Sequence, residues 1–526
     1  MATEQDSAAE GDADTYDEFE QRVERITNVG NAAGILQWDQ EVMMPEGGTP
    51  ARAKQLSTLS SISHELLTDE ETGELLEELE GSETTSSSRN TSGEAASSDL
   101  AEDQQAVVRE VRRRYDRSTK VPEELVAEIS ETTSNAHPTW VEAKEEDDFS
   151  IFAPTLEKLV ELKREYADHI DPDADPYAVL FADYEPYIDI ETAERILERL
   201  REELVPLIEA IDESDAELET DAFSGEFDDE TQEELARDVL DTLGYDWNRG
   251  RLDTAPHPFS SGTQFDARVT TRFDESDLLG SITSTIHEFG HANYTIGLPD
   301  EGYGTPLGEA RDLTVHESQS RLWENHIGRS QPFWERFLPA VQERFPALED
   351  VTPRHAYEAA NQVYDDNLIR VEADELTYHL HIVIRFEVEC DLIRGDLAVE
   401  DVPETWNDKY EEYLGVRPDT DAEGCLQDIH WSHGSFGYFP TYSLGSVLAA
   451  QLYAAAEADL GDIDEHTREG EFDDLNGWLR EQIHVHGKRY TTPDLIERAT
   501  GEEYTADHFL EYAKNKYGEL YDLEEY

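Results

Sequence analysis

The chain has 526 residues, 41 basic and 123 acidic, for a formal charge of −82. That charge excludes nucleic-acid partners, because phosphate contact needs a basic face. The 8 Trp, 23 Tyr and 18 Phe spread along the chain exclude a disordered acidic polymer and predict a folded protein with a sizeable core.

Residues 1–14 predict a disordered acidic tail and lack the apolar stretch of a signal peptide. From about 15 to 80 the pattern is helical, broken at Met44-Pro45-Glu46-Gly47-Gly48. Residues 81–99, GSETTSSSRNTSGEAASSD, have no apolar anchor and predict a mobile Ser/Thr-rich loop. Arg109, Arg112, Arg113, Arg114 and Arg117 follow at helical spacing beside acid-rich segments, where internal ion pairing is their expected fate. Apolar residues recur at three- and four-residue intervals from Ile188 through Leu207, as in an amphipathic helix. Residues 263–273 alternate instead with a period of two and predict a strand, in a small antiparallel sheet. Beyond about 275 helical periodicity returns, interrupted by loops near 297–308, 415–424 and 434–445. The fold class is therefore mainly α, with 15–526 as a single domain.

Two cysteines, Cys390 and Cys425, leave no disulfide framework and no thiolate metal cluster. No run of about 18 apolar residues offers a membrane span, so a cytoplasmic protein is expected. The basic residues are mostly arginine, lysine being scarce. Self-repulsion among so many carboxylates fades when salt near 1 M shortens the screening length to about 3 Å. The composition reads as halophilic adaptation to a salty cytoplasm.

The chemistry concentrates in His287-Glu288-Phe289-Gly290-His291. On a helix the i, i+4 spacing puts both imidazoles on one face, as two ligands of a tetrahedral zinc require. Leu278, Leu279, Ile282, Ile286 and Phe289 predict that this helix is buried. Glu288 reaches a water rather than the metal and is the expected general base. Glu317 opens another helical pattern after the short loop 297–305 and is the expected third ligand, from a helix lying alongside the first. Zinc suits two histidines and a carboxylate, with cobalt an alternative occupant. His430, Tyr438 and Tyr442 are candidates to stabilise the oxyanion of a tetrahedral intermediate. The pairs His379/His381 and His484/His486 read as structural. Rival functions are an endo-acting zinc oligopeptidase and a non-catalytic zinc-stabilised binding protein.

Several further motifs accompany the histidine pair: His257-Pro258-Phe259; Asp266, Arg268 and Thr270; the run His316 to Asn325; Ile369, Arg370, Ala373 and Asp374; and Gly424, Gln427, Asp428, His430 and Trp431. In these the chain resembles the thermostable carboxypeptidase Taq family, zinc metallocarboxypeptidases of the HExxH kind, in a haloarchaeal-type form. The resemblance implies a neurolysin-like fold of two helical lobes around a deep central groove, a homodimer, and removal of single residues from the free C-termini of peptides. It implies His287, His291 and Glu317 as metal ligands, Glu288 as general base, and Arg268 and Arg370 as receivers of the substrate's terminal carboxylate. Asp374, one turn beyond Arg370, is the residue expected to orient it.

Overall fold

The computed structural model describes residues 2–87, 100–364 and 368–523. The expected acidic tail at 1–14 falls outside the described side chains, and the expected Ser/Thr-rich loop falls largely outside the described residues. Helix makes up 70% and strand 3%, as the periodicities predict.

Three N-terminal helices, α1 (Ala2–Val42), α2 (Glu70–Ser87) and α3 (Glu102–Lys120), share a small core of Tyr16, Phe19, Leu76, Leu79, Val107 and Val111. A far larger core extends from Ala136 to Tyr521. Helix α4 (Ile190–Asp212) shows how the pattern builds it. The Asp189 side chain caps its start by accepting from the Thr192 amide, and Ile196, Leu197, Leu200, Leu204, Leu207 and Ile211 then line one buried face. Each such side chain contributes roughly 1.5–3 kcal/mol by leaving water. Among the described residues no helix is long and apolar enough to cross a membrane.

The sheet departs from expectation. Strands β1 (Gly250–Thr254), β2 (Ser260–Thr263) and β3 (Asp266–Thr271) lie in the order β1-β3-β2, with β1 parallel to β3 and β2 antiparallel to it. The sheet is mixed rather than antiparallel. The five-residue link 255–259 is long enough to carry the chain across the width of one strand, and the tight β2–β3 hairpin then folds β3 into the gap.

Behind β3 lies α5 (Leu278–Gly297), which carries both histidines, and against it packs α6 (Leu313–Arg321), which carries Glu317. Two further helices complete the surroundings of the site, α7 (Thr377–Arg394) and α8 (Pro440–Leu460). Asp277 and Asp312 cap α5 and α6 by accepting from the Gly280 and Val315 amides. At Gly290 these two helices touch backbone to backbone: a Cβ there would lie 2.5 Å from Ser320 Cα and 2.6 Å from the Gln319 carbonyl oxygen. On the other side of α6, Gly445 of α8 leaves room for the Glu317 side chain. Directly after α6 the chain widens into a buried π-helical turn, Leu322–Gly328.

Gly290→Ala therefore forces two helix backbones apart. We expect a loss of about 1–3 kcal/mol, the usual cost of overpacking, read as a lower thermal midpoint by circular dichroism at fixed salt. An unchanged midpoint would refute the close-crossing account.

Candidate metal and catalytic site

The crossing of α5 and α6 brings three ligand atoms together. Glu317 Oε2 lies 3.8 Å from His287 Nε2 and 3.5 Å from His291 Nε2. All three groups present ligand atoms within 4.8 Å of one another, the one such trio among the described residues. Zinc bonds of about 2.0–2.2 Å at tetrahedral angles put ligand atoms roughly 3.4 Å apart, close to these separations.

Each of the three groups is held from behind. His287 Nδ1 meets Glu324 Oε2 at 2.8 Å, and His291 Nδ1 meets His316 Nδ1 at 2.6 Å. Arg321 donates from Nε to Glu317 Oε1 at 2.8 Å and from Nη1 to Glu324 Oε2 at 3.1 Å, while Arg329 donates to Glu324 Oε1 at 2.9 Å. Burial raises the proton affinity of Glu317, but Arg321 and the two imidazoles outweigh it and hold the carboxyl well below the usual range. The carboxylate stays ionised, the form in which it could bind a cation. Burial, helped by nearby His291, pushes His316 down to about 3, so its ring stays neutral.

Glu288 is only 7% exposed, and its Oε2 makes no hydrogen bond with any described residue. A buried carboxylate oxygen left without a donor is costly and calls for a partner. Burial, reinforced by Glu317 and Glu324 and opposed by the two imidazoles, raises its proton affinity. Three converging ligand atoms beside an unsatisfied acceptor fit a divalent cation and its solvent.

A second cluster joins the first through Tyr378 of α7. The Arg321 guanidinium sits 5.2 Å from the Tyr378 ring, and the Tyr378 hydroxyl accepts from Arg370 Nη1 at 3.2 Å. Asp428 Oδ1 accepts from Arg370 Nε at 3.0 Å and Nη2 at 2.8 Å, and Asp428 Oδ2 accepts from Arg385 at 2.6 Å. Asp428 thus grips Arg370 in place of the expected Asp374. Asp374 instead accepts from the amides of Leu376 and Thr377 and from the Thr377 hydroxyl at the start of α7. Its one-turn spacing from Arg370 misleads because Arg370 lies on a separate short turn, Arg370–Glu372.

Around Arg370 stand the oxyanion candidates. Tyr442 lies 5.4 Å from its guanidinium, and the Tyr438 and Tyr442 rings are 5.3 Å apart, edge to face. The His430 ring is 5.6 Å from Tyr438 and 6.4 Å from Tyr442. Its buried Nδ1 has no hydrogen bond among the described residues, and burial lowers the ring to about 4, leaving it neutral at pH 7. Arg268 stands apart. It donates twice to Asp266, at 2.9 and 2.6 Å, and stacks 4.2 Å from the Trp38 ring. With both it lines a cleft of about 340 Å³ between α1 and the β2–β3 hairpin. Among the described residues none of its contacts reaches the metal ligands or Arg370.

Sequence reasoning missed Arg321, Glu324 and Tyr378. Arg321 is visible one turn after Glu317, where it can only share its face. Glu324 sits on the π-helical turn, whose extra residue rotates it in a way helical spacing does not foresee. His379, His381 and His484 bond to Ser443, Tyr410 and Gln319 in the interior, as structural residues should.

A model of the Carboxypeptidase Taq (M32) metallopeptidase family matches residues 18–517. The chain belongs to this family. It is 40% identical to Thermostable carboxypeptidase 1 of Thermus thermophilus, covering 96% of this chain and 98% of the relative. It is 37% identical to Carboxypeptidase 1 of Bacillus subtilis, covering 97% and 99%. The M32 carboxypeptidase structure from Deinococcus radiodurans R1 superposes with a TM-score of 0.90 at 37% identity, over 97% of this chain and 100% of the other. Membership makes the protein a metallocarboxypeptidase that depends on a divalent metal and acts on peptides.

In this M32 carboxypeptidase, Arg321→Ala removes the anchor of one Glu317 oxygen. Loss of a group behind a metal ligand usually costs 10–100-fold in affinity. We expect a drop of roughly that size, measured by competition with a chromophoric chelator.

Proposed function

We propose that the enzyme is a zinc carboxypeptidase that releases single amino acids from free peptide C-termini with broad preference. The observation that carries the mechanism is the unsatisfied, buried Glu288 Oε2 beside the His287, His291 and Glu317 ligand atoms. His287, His291 and Glu317 would hold a cation that, when bound, would supply a Lewis acid for the scissile carbonyl and for a water near neutral pH.

The chain's own residues do the rest. Glu288 Oε2 takes a proton from the attacking water and delivers it to the leaving amine, and the raised proton affinity of the buried carboxyl suits both tasks. Arg370 receives the substrate's terminal carboxylate. Its Nε and Nη2 stay on Asp428, and its Nη1 exchanges the Tyr378 hydroxyl for the substrate. Tyr442, Tyr438 and His430, grouped beside that arginine, supply neutral donors to the oxyanion. Burial keeps both tyrosine hydroxyls protonated. Arg268, with Asp266 and Trp38, forms a second carboxylate-binding candidate at the mouth of the α1 cleft. The charge of −82 supports a halophilic, haloarchaeal-type enzyme of a salty cytoplasm. The resemblance to the family supports a homodimer and one catalytic domain over 15–526.

Glu288→Gln should abolish hydrolysis while the protein still binds one metal per chain; metal loss in that variant contradicts the assigned role. Timed mass spectrometry of an unblocked peptide should show a ladder of one-residue losses, absent from its C-terminally amidated twin. Arg370→Ala should erase the preference for the free terminus and Arg268→Ala should weaken it, whereas equal rates on both peptides in the wild type would mean endopeptidase action. Thermal midpoints should rise steeply between about 0.05 and 3 M KCl, points on either side of full screening; a flat profile removes the halophilic reading.

A further inference from the structure

Four of the five arginines in the stretch 109–117 meet their expected carboxylates: Arg109 pairs with Glu110, Arg112 with Glu80, Arg114 with Glu309 and Arg117 with Asp183. Arg113 does not. Its described hydrogen bond goes to the Ala182 carbonyl oxygen, and Lys120, two turns along α3, donates to the Ile170 carbonyl oxygen at 3.1 Å. Among the described residues neither has an ion-pair partner, in a chain with three acidic residues for each basic one.

Both side chains line the same groove, of about 570 Å³. Arg109, Arg112 and Arg117 stand around them, with Tyr187, Val108 and Ile170 as the apolar wall. Glu80 and Asp116 are its acidic side chains, and Arg112 already engages both. Arg109, Arg113 and Arg117 recur every four residues, so they stack along one face of the helix with like charges adjacent. Burial and the neighbouring Arg117 lower the proton affinity of Arg113 and outweigh the more distant Asp183, Tyr187 and Glu110, which raise it. A half-buried guanidinium beside Arg117 that forms no ion pair of its own among the described residues is an arrangement that an anion relieves.

We propose that this groove binds a small oxyanion, a phosphate or a carboxylate-bearing metabolite, between Arg113 and Lys120. A guanidinium fork and an ammonium group lining one groove from the same helix face suit a two- or three-oxygen acceptor. The site is distinct from the peptide site, because none of the groove residues belongs to the metal or Arg370 clusters.

The test uses the metal-loaded enzyme in KCl buffer, titrated calorimetrically with inorganic phosphate in one arm and succinate in the other. We expect saturable binding of one ion per chain, weakened roughly tenfold or more by Arg113→Ala. Lys120→Glu, a reversal of charge on an exposed side chain, should weaken it as strongly and decides the matter if Arg113→Ala misfolds. Arg370→Ala should leave this binding unchanged. Tighter binding of phosphate or of succinate identifies which source of oxyanion the groove selects. Failure of both ions to saturate, or binding lost in Arg370→Ala yet intact in Arg113→Ala and Lys120→Glu, overturns the proposal without touching the carboxypeptidase assignment.

Discussion

Everything in the centre of this enzyme depends on one carboxylate used twice. Glu317 turns one oxygen towards the two imidazoles and gives the other to Arg321. Burying a charge in this way is expensive unless every lone pair is engaged. Arg321 satisfies the requirement and, through its contact with Tyr378, ties the ligand set to Arg370 and Asp428. The His287, His291 and Glu317 cluster and the Arg370 cluster therefore share a scaffold of paired charges. Two glycines make that scaffold possible, since side chains at Gly290 and Gly445 would occupy the space where α6 approaches its neighbours.

Much of this is legible in the residues. The i, i+4 histidines and the apolar face around them specify a buried ligand helix, and the short loop after Gly297 brings Glu317 within reach. The alternation at 263–273 marks β3, but nothing local says that β1 runs parallel to it. Strand order is decided by long-range packing and by how far a short link must travel. Asp428 is visible as part of a motif, yet its pairing with Arg370 is not, because helical spacing points to a side chain one turn away and the true partner is 58 residues distant. Glu324 is hidden by a change of helical pitch.

The acidity has a structural counterpart in how the few cations are spent. Arginine, always charged and able to fork onto a carboxylate, is used for buried pairs such as Arg311 with Glu110 and Arg385 with Asp428. These pairs are hidden from salt, which screens exposed charges but reaches buried ones weakly. High ionic strength can quiet the surface without loosening the interior.

The short contact between the Nδ1 atoms of His291 and His316 carries one more consequence. A hydrogen can occupy only one side of it. With His316 neutral, a cation held at His291 Nε2 would leave the hydrogen on His291 Nδ1, and His316 would carry its own on Nε2. The contact thus sets the tautomer of His291 through a second imidazole, the task that the Glu324 carboxylate performs behind His287.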